Sequence, residues 1–197
     1  MTTVTLERNL EQRIEALEEA LSSALCSPRG TPSPTEPPET DKVCMVVFSG
    51  DLDKILAALS MAAGAAAMGI EVCLFFTFWA TPVLRRTDGA GTKGPTMDRV
   101  LGLMLPRGTK SLRLSRMNMG GIGPAIFKRR MRDKHFAGCE ELFEMARESG
   151  VSIKVCDMSM DLMGIRLDEL IDYPGLEQCG VATFMDNALR SRVTLFV

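Results

Sequence analysis

Two strand-like stretches, the continuous apolar run Val43 to Phe48 and Ile70 to Phe76, interrupted only by Glu71, flank an alanine-rich stretch with helical spacing. This arrangement restricts the fold more than any other feature of the chain. A short run with no polar alternation reads as a central parallel strand, buried on both faces. Between the runs, Ser49-Gly50-Asp51 makes a turn in which Asp51 is a good N-cap. Leu52, Ile55, Leu56, Leu59, Ala63 and Ala66 then fall on one helical face. Ala57, Ala58 and Ala65 leave the other faces apolar too. That predicts burial on more than one side, by neighbouring elements or by another subunit. Met68-Gly69 closes the helix, and strand, helix and strand together predict a right-handed βαβ unit. The same region tests for a membrane span. Neither Ile55 to Ile70 nor Val72 to Leu84 reaches the roughly 18–20 residues that cross a bilayer, so membrane contact is not expected.

The rest of the chain continues the alternation. Cys139 to Ser149 reads as an amphipathic helix with Leu142, Phe143 and Ala146 inward and Gly150 at its end. It feeds the β-branched run Ser152 to Cys156, a third strand. Met97 to Leu105, Arg166 to Ile171 and Phe184 to Ser191 read as helices, and Val193 to Val197 as the last strand. Leu112-Arg113-Leu114 is a candidate fifth strand. The prediction is an α/β fold, with a mainly parallel four- to five-stranded sheet covered by helices on both faces.

Two segments precede this domain. In residues 1–26, Leu10, Ile14, Leu17 and Leu21 have the spacing of a short coiled-coil helix. Residues 27–41 hold five of the ten prolines and read as an extended linker. The globular domain is expected over residues 42–197.

The six cysteines are scattered without a Cys-x-x-Cys pair, and there is one histidine. That is neither a disulfide framework nor a metal site, and it places the chain in a reducing cytoplasmic compartment. A net charge of −2 gives no global field for nucleic acid. Among the cysteines, Cys156 stands out by position. It lies at the carboxyl end of a predicted parallel strand, where α/β folds place their ligand crevice. The residues after it, Asp157-Met158-Ser159, start a helical turn. Unpaired backbone N–H groups and the helix dipole there favour thiolate over thiol. A carboxylate at Asp157 would oppose this if it lay close.

Other candidates cluster at strand ends and loops. Trp79 follows the second strand and is placed to wall a pocket. Gly120 and Gly121 sit in Met117-Asn118-Met119-Gly120-Gly121-Ile122-Gly123, where close approach of a ligand or chain is permitted. Gly50 would admit a phosphate to a helix N-terminus, but no dinucleotide or phosphate-loop motif accompanies it. Lys128, Arg129, Arg130 and Arg132 make a local basic patch suited to an acidic partner or anionic substrate. His135 adjoins it in a polar connection.

Four ordered blocks carry a family resemblance: Phe75 to Trp79, Met117 to Gly123, Cys156 to Gly164, and Gly180-Val181-Ala182-Thr183. Together they resemble the DsrE/DsrF-like family, in its larger, peroxiredoxin-annotated subgroup, from Lys42 to Val197. The resemblance implies a three-layer, five-stranded α/β/α sandwich, usually in homo-oligomers. It also implies sulfur relay. A cysteine, which falls on Cys156, accepts sulfane sulfur as a persulfide or thiosulfonate and passes it to a small carrier protein such as the TusA type. No cofactor is implied. The peroxidatic Pro-x-x-x-Thr-x-x-Cys pattern is missing from the sequence. Some members of the subgroup carry a second functional cysteine. Cys73, in mid-strand, and Cys139, at a helix start, do not fit that part. Two readings stand beside sulfur relay. One is a non-catalytic oligomeric binding module in which Cys156 is merely buried; the other is a nucleotide- or coenzyme-binding protein.

Overall fold

The computed structural model describes residues 41–87 and 104–197. The coiled-coil helix, nearly all of the linker and all but the end of the helix expected at Met97 to Leu105 lie outside these residues. Five strands form one sheet: β1 (Lys42–Val47), β2 (Glu71–Phe76), β3 (Ser152–Cys156), β4 (Leu176–Cys179) and β5 (Val193–Phe196). Their order is β4-β3-β2-β1-β5, and every paired neighbour is parallel. All five carboxyl ends therefore meet at one edge, which also carries the residues that follow each strand.

The helices are α1 (Leu52–Ala67), α2 (Ile122–Asp133), α3 (Cys139–Glu148), α4 (Asp157–Met163) and α5 (Val181–Leu189). Side chains alternate across the sheet. Val43, Met45, Val47, Val72, Leu74, Phe76, Ile153 and Val155 join α1 and α3 in the main core. Cys44, Cys73, Phe75 and Cys156 point the other way, where Phe184 of α5 packs on them. With both faces covered, β1 from Val43 and β2 from Val72 are apolar throughout, which is why they read as unbroken runs, whereas β3 carries Lys154, paired with Glu177 of β4. The connection from β4 to β5 passes from one sheet edge to the other. Right-handed crossover then requires α5 to lie on the face opposite α1.

One strand expectation needs correction. Leu112-Arg113-Leu114 is not a strand: Leu112 fills the core, and the Arg113 carbonyl accepts the Leu52 N–H at 2.7 Å. The fifth strand is β4 instead. Its sequence, Leu-Glu-Gln-Cys, has Glu177 and Gln178 exposed at the sheet edge, and four residues show no period. Of the alanines expected to make the other faces of α1 apolar, Ala58 is buried and Ala65 packs on the main core. Ala57, Gly64 and Ala67 on its outer side are exposed. Asp51 does occupy the N-cap, but its carboxylate accepts from Ser49 Oγ rather than from the helix.

Candidate functional site

β3 carries Ile153 and Val155 into the main core and turns Cys156 to the opposite face. Cys156 has extended backbone angles and is the N-cap of α4, so strand and helix join at the sulfur-bearing residue. It is 0% exposed. The amides after it are partly engaged. Asp157 Oδ1 accepts the Met158 N–H at 2.6 Å, which removes that donor from the set expected to face the thiolate. Ser159 is fully buried and faces inward. Its Oγ shares a hydrogen bond with Thr77 Oγ1 at 2.8 Å and accepts the Phe78 N–H at 2.9 Å. Ser159 thus clamps the first turn of α4 to the end of β2 and fixes the direction in which the chain leaves Cys156. Of the three methionines here, Met160 and Met163 belong to the core and Met158 is exposed.

The segment after β2 is a 3₁₀ turn, Phe78–Leu84. Trp79 on this turn is 58% exposed. Its backbone carbonyl explains Gly50. A Cβ on Gly50 would stand 2.3 Å from Trp79 O, so glycine is required for this close backbone packing. The space in which a phosphate was expected to approach is filled by the chain itself.

Gly120 and Gly121 adopt left-handed backbone angles, at φ 67° and 100°. They line an open depression of about 600 Å³ with Lys110, Arg113, Asn118 and Lys128. Neither Cys156 nor Trp79 forms part of its wall. The glycine loop is thereby brought to the basic helix and not to the sulfur. On α2, Lys128 Nζ donates to the Lys110 carbonyl at 2.9 Å, whereas Arg129, Arg130 and Arg132 are exposed. His135 is exposed just past the helix end, with φ 57°. Among the described residues no cluster of His, Cys, Asp or Glu is arranged to hold a metal ion. No described helix is long and apolar enough to cross a membrane.

The sequence reading passed over Cys179. In the β3–β4 register it stands directly opposite Cys156. It is partly exposed, and burial raises its thiol above the ordinary value while the Lys154 ammonium opposes this. The signal was present in the sequence: each of these cysteines lies at or just before a helix start, at Asp157 and after Gly180. It could not be used without knowing that Leu176 to Cys179 pairs with β3. The other thiols lie apart. Cys139 is buried in the main core, on the other face of the sheet, and its pKa is pushed up to about 11 by burial. Cys44 and Cys73 are paired neighbours in mid-sheet. Cys73 hydrogen-bonds to Cys44, which together with burial holds the Cys73 thiol up. That bond, with one donated by Ser191 Oγ at 3.0 Å, holds the Cys44 thiol down.

Comparison with known proteins gives the family. Residues 39–196 match the DsrE/DsrF/DrsH-like family. The uncharacterized protein YrkE of Bacillus subtilis is 38% identical over 159 residues, which cover 81% of this chain and 98% of YrkE. The sulfur carrier protein DsrE2 of Allochromatium vinosum is 32% identical over 171 residues, covering 81% and 99% of the two chains. A crystal structure of the ychN protein from E. coli superposes with a TM-score of 0.45 and 14% identity, over 79% of this chain and 99% of that one.

Proposed function

Because this chain belongs to the DsrE/DsrF/DrsH-like family, we propose that it is a sulfur carrier that works through Cys156. The observation that carries the reading is the place of Cys156, at the carboxyl end of an inner parallel strand and the start of α4. A relative named as a sulfur carrier is matched over 99% of its own length and 81% of this chain. The Cys156 thiolate attacks the sulfane sulfur of a donor. With a polysulfide, a new S–S bond forms on Cys156, the donor's S–S bond breaks, and the shortened polysulfide leaves as an anion. With tetrathionate the product on Cys156 is a thiosulfonate and thiosulfate departs. The acceptor is a small sulfur-carrier protein of the TusA type. The exposed Arg129, Arg130 and Arg132 of α2 offer it a basic surface.

The chain is proposed to act as a homo-oligomer. Val181, Met185 and Leu189 form an exposed apolar stripe on α5 at four-residue spacing, and Val193 and Phe196 of β5 are exposed beside the same sequence region. Such a stripe on a surface helix is a natural packing surface between copies. One observation favours the rival reading, a binding module with an inert cysteine: Cys156 is wholly enclosed in a single chain.

Intact-protein mass spectrometry after incubation with polysulfide, thiosulfate or tetrathionate separates the two. The expected result is a reducible sulfur or thiosulfonate adduct that is lost in Cys156→Ser. An adduct that persists in the variant, or none with any donor, refutes the sulfur-carrier reading.

A further inference from the structure

We propose that Cys179 is a second sulfur-carrying residue, which takes sulfane sulfur from the enclosed Cys156 and presents it at the edge of the sheet. This rests on the sulfur-carrier reading of Cys156. Three features of the fold support it. The two residues are exact register partners at the last positions of β3 and β4. Paired residues on neighbouring parallel strands lie about 4.8 Å apart and point to the same face. Both pack in the same small cluster with Cys44, Cys73, Phe75 and Phe184. Their exposure differs in the useful direction. Cys156 is sealed, whereas Cys179 is partly open because β4 is an edge strand. No other thiol among the described residues combines these features: Cys139 faces the opposite side of the sheet, and Cys44 and Cys73 lie buried within it.

The transfer is redox-neutral. The Cys179 thiolate attacks the outer sulfur of the Cys156 persulfide. An S–S bond forms on Cys179, the one on Cys156 breaks, and Cys156 leaves as a thiolate that takes up the proton Cys179 has lost. The sulfane sulfur keeps its oxidation state, so no oxidant or reductant is consumed. The groups facing Cys179 are Lys154 and Cys156 of β3, Glu177 of β4 and Asp157 at the start of α4. Lys154 Nζ is paired with Glu177 at 2.6 Å and is the only one of the four that favours the Cys179 thiolate. With burial and two carboxylates against it, the thiolate is scarce at neutral pH, and transfer should quicken as pH rises.

Peptide mapping tests the proposal. Wild type, Cys179→Ser and Cys156→Ser are loaded with polysulfide, alkylated and cut with trypsin. Cleavage after Lys154, Arg166 and Arg190 places the two cysteines on separate peptides, 155–166 and 167–190. Sulfur is expected on both peptides in wild type and on neither in Cys156→Ser. Cys179→Ser should load at Cys156 but discharge to reduced glutathione about ten-fold more slowly, since the accessible thiol is gone. Three results would overturn the proposal while sparing the function of Cys156: sulfur confined to Cys156 with wild-type discharge from Cys179→Ser, full loading of Cys179 in the absence of Cys156, or a Cys156–Cys179 disulfide with release of sulfide. Wild type carrying no sulfur on Cys156 would refute both readings.

Discussion

Gly50→Ala tests how the carboxyl edge is built. The added Cβ would lie 2.3 Å from Trp79 O, 3.3 Å from Trp79 C and 3.6 Å from Val83 Cγ2. A comfortable carbon–oxygen contact needs about 3.3 Å, so the shortfall is about 1 Å. The obstacle is backbone, held by the Thr77 N–H on the Val47 carbonyl and the Ala80 N–H on the Phe48 carbonyl. It cannot swing aside as a side chain would. Overpacking of this kind costs about 1–3 kcal/mol, and a fixed obstacle belongs at the upper end. Loss of glycine's freedom in the unfolded chain returns about 0.4–1 kcal/mol. The expected net effect is a destabilisation of about 2 kcal/mol, set by the difference of these terms. Urea unfolding followed by far-UV circular dichroism measures it. Trp79 is the single tryptophan, so a shift in its emission reports the displaced turn directly. If Gly50 instead kept an open approach for a phosphate, alanine would be accommodated and would stabilise the ligand-free protein by about 0.4–1 kcal/mol. Unchanged or increased stability with unchanged emission would therefore refute the packing argument.

Two further outcomes follow from buried hydrogen bonds. Ser159→Ala leaves Thr77 Oγ1 and the Phe78 N–H without their partner and should cost about 2 kcal/mol, with Thr77→Val adding little on top. Full additivity in urea unfolding would mean that the clamp does not act as a unit. Tyr173 donates its hydroxyl to the Val151 carbonyl at 2.8 Å, and burial pushes its pKa up to about 12. Its neutral form therefore contributes stability that is complete below the unfolded value near about 10 and is lost as pH rises through the folded one. Tyr173→Phe should be less stable than wild type by about 1 kcal/mol at neutral pH, with the gap closing above pH about 10. Stability curves that stay parallel into this alkaline range would contradict that assignment.

The candidate site was legible in part. Cys156 could be placed because a short β-branched run followed by cap residues marks a strand end and a helix start locally. Trp79 was correctly put at the same edge, for it follows the second apolar run directly. The glycine loop and Gly50 show the limit. Both have the composition of ligand-binding turns, yet Gly50 is filled by the Trp79 carbonyl and the loop faces Lys128. What occupies the space over a glycine is decided by segments far along the chain. The same holds for Ser159, whose hydroxyl is spent on Thr77 and Phe78, eighty-odd positions earlier in the chain.

Local patterns along the chain suffice to predict an α/β sheet with inner strands buried on both faces. Hydrophobic runs and helical periods are properties of contiguous residues and need no knowledge of neighbours. The same patterns put Cys156 at the carboxyl end of a strand, where the structure has it. That the fifth strand is Leu176–Cys179 emerges from the folded chain alone, because this short, polar strand owes its conformation to the pairing with β3. That one register brings Cys179 against Cys156 from twenty-three residues away, and no local pattern encodes the distance between two strand ends.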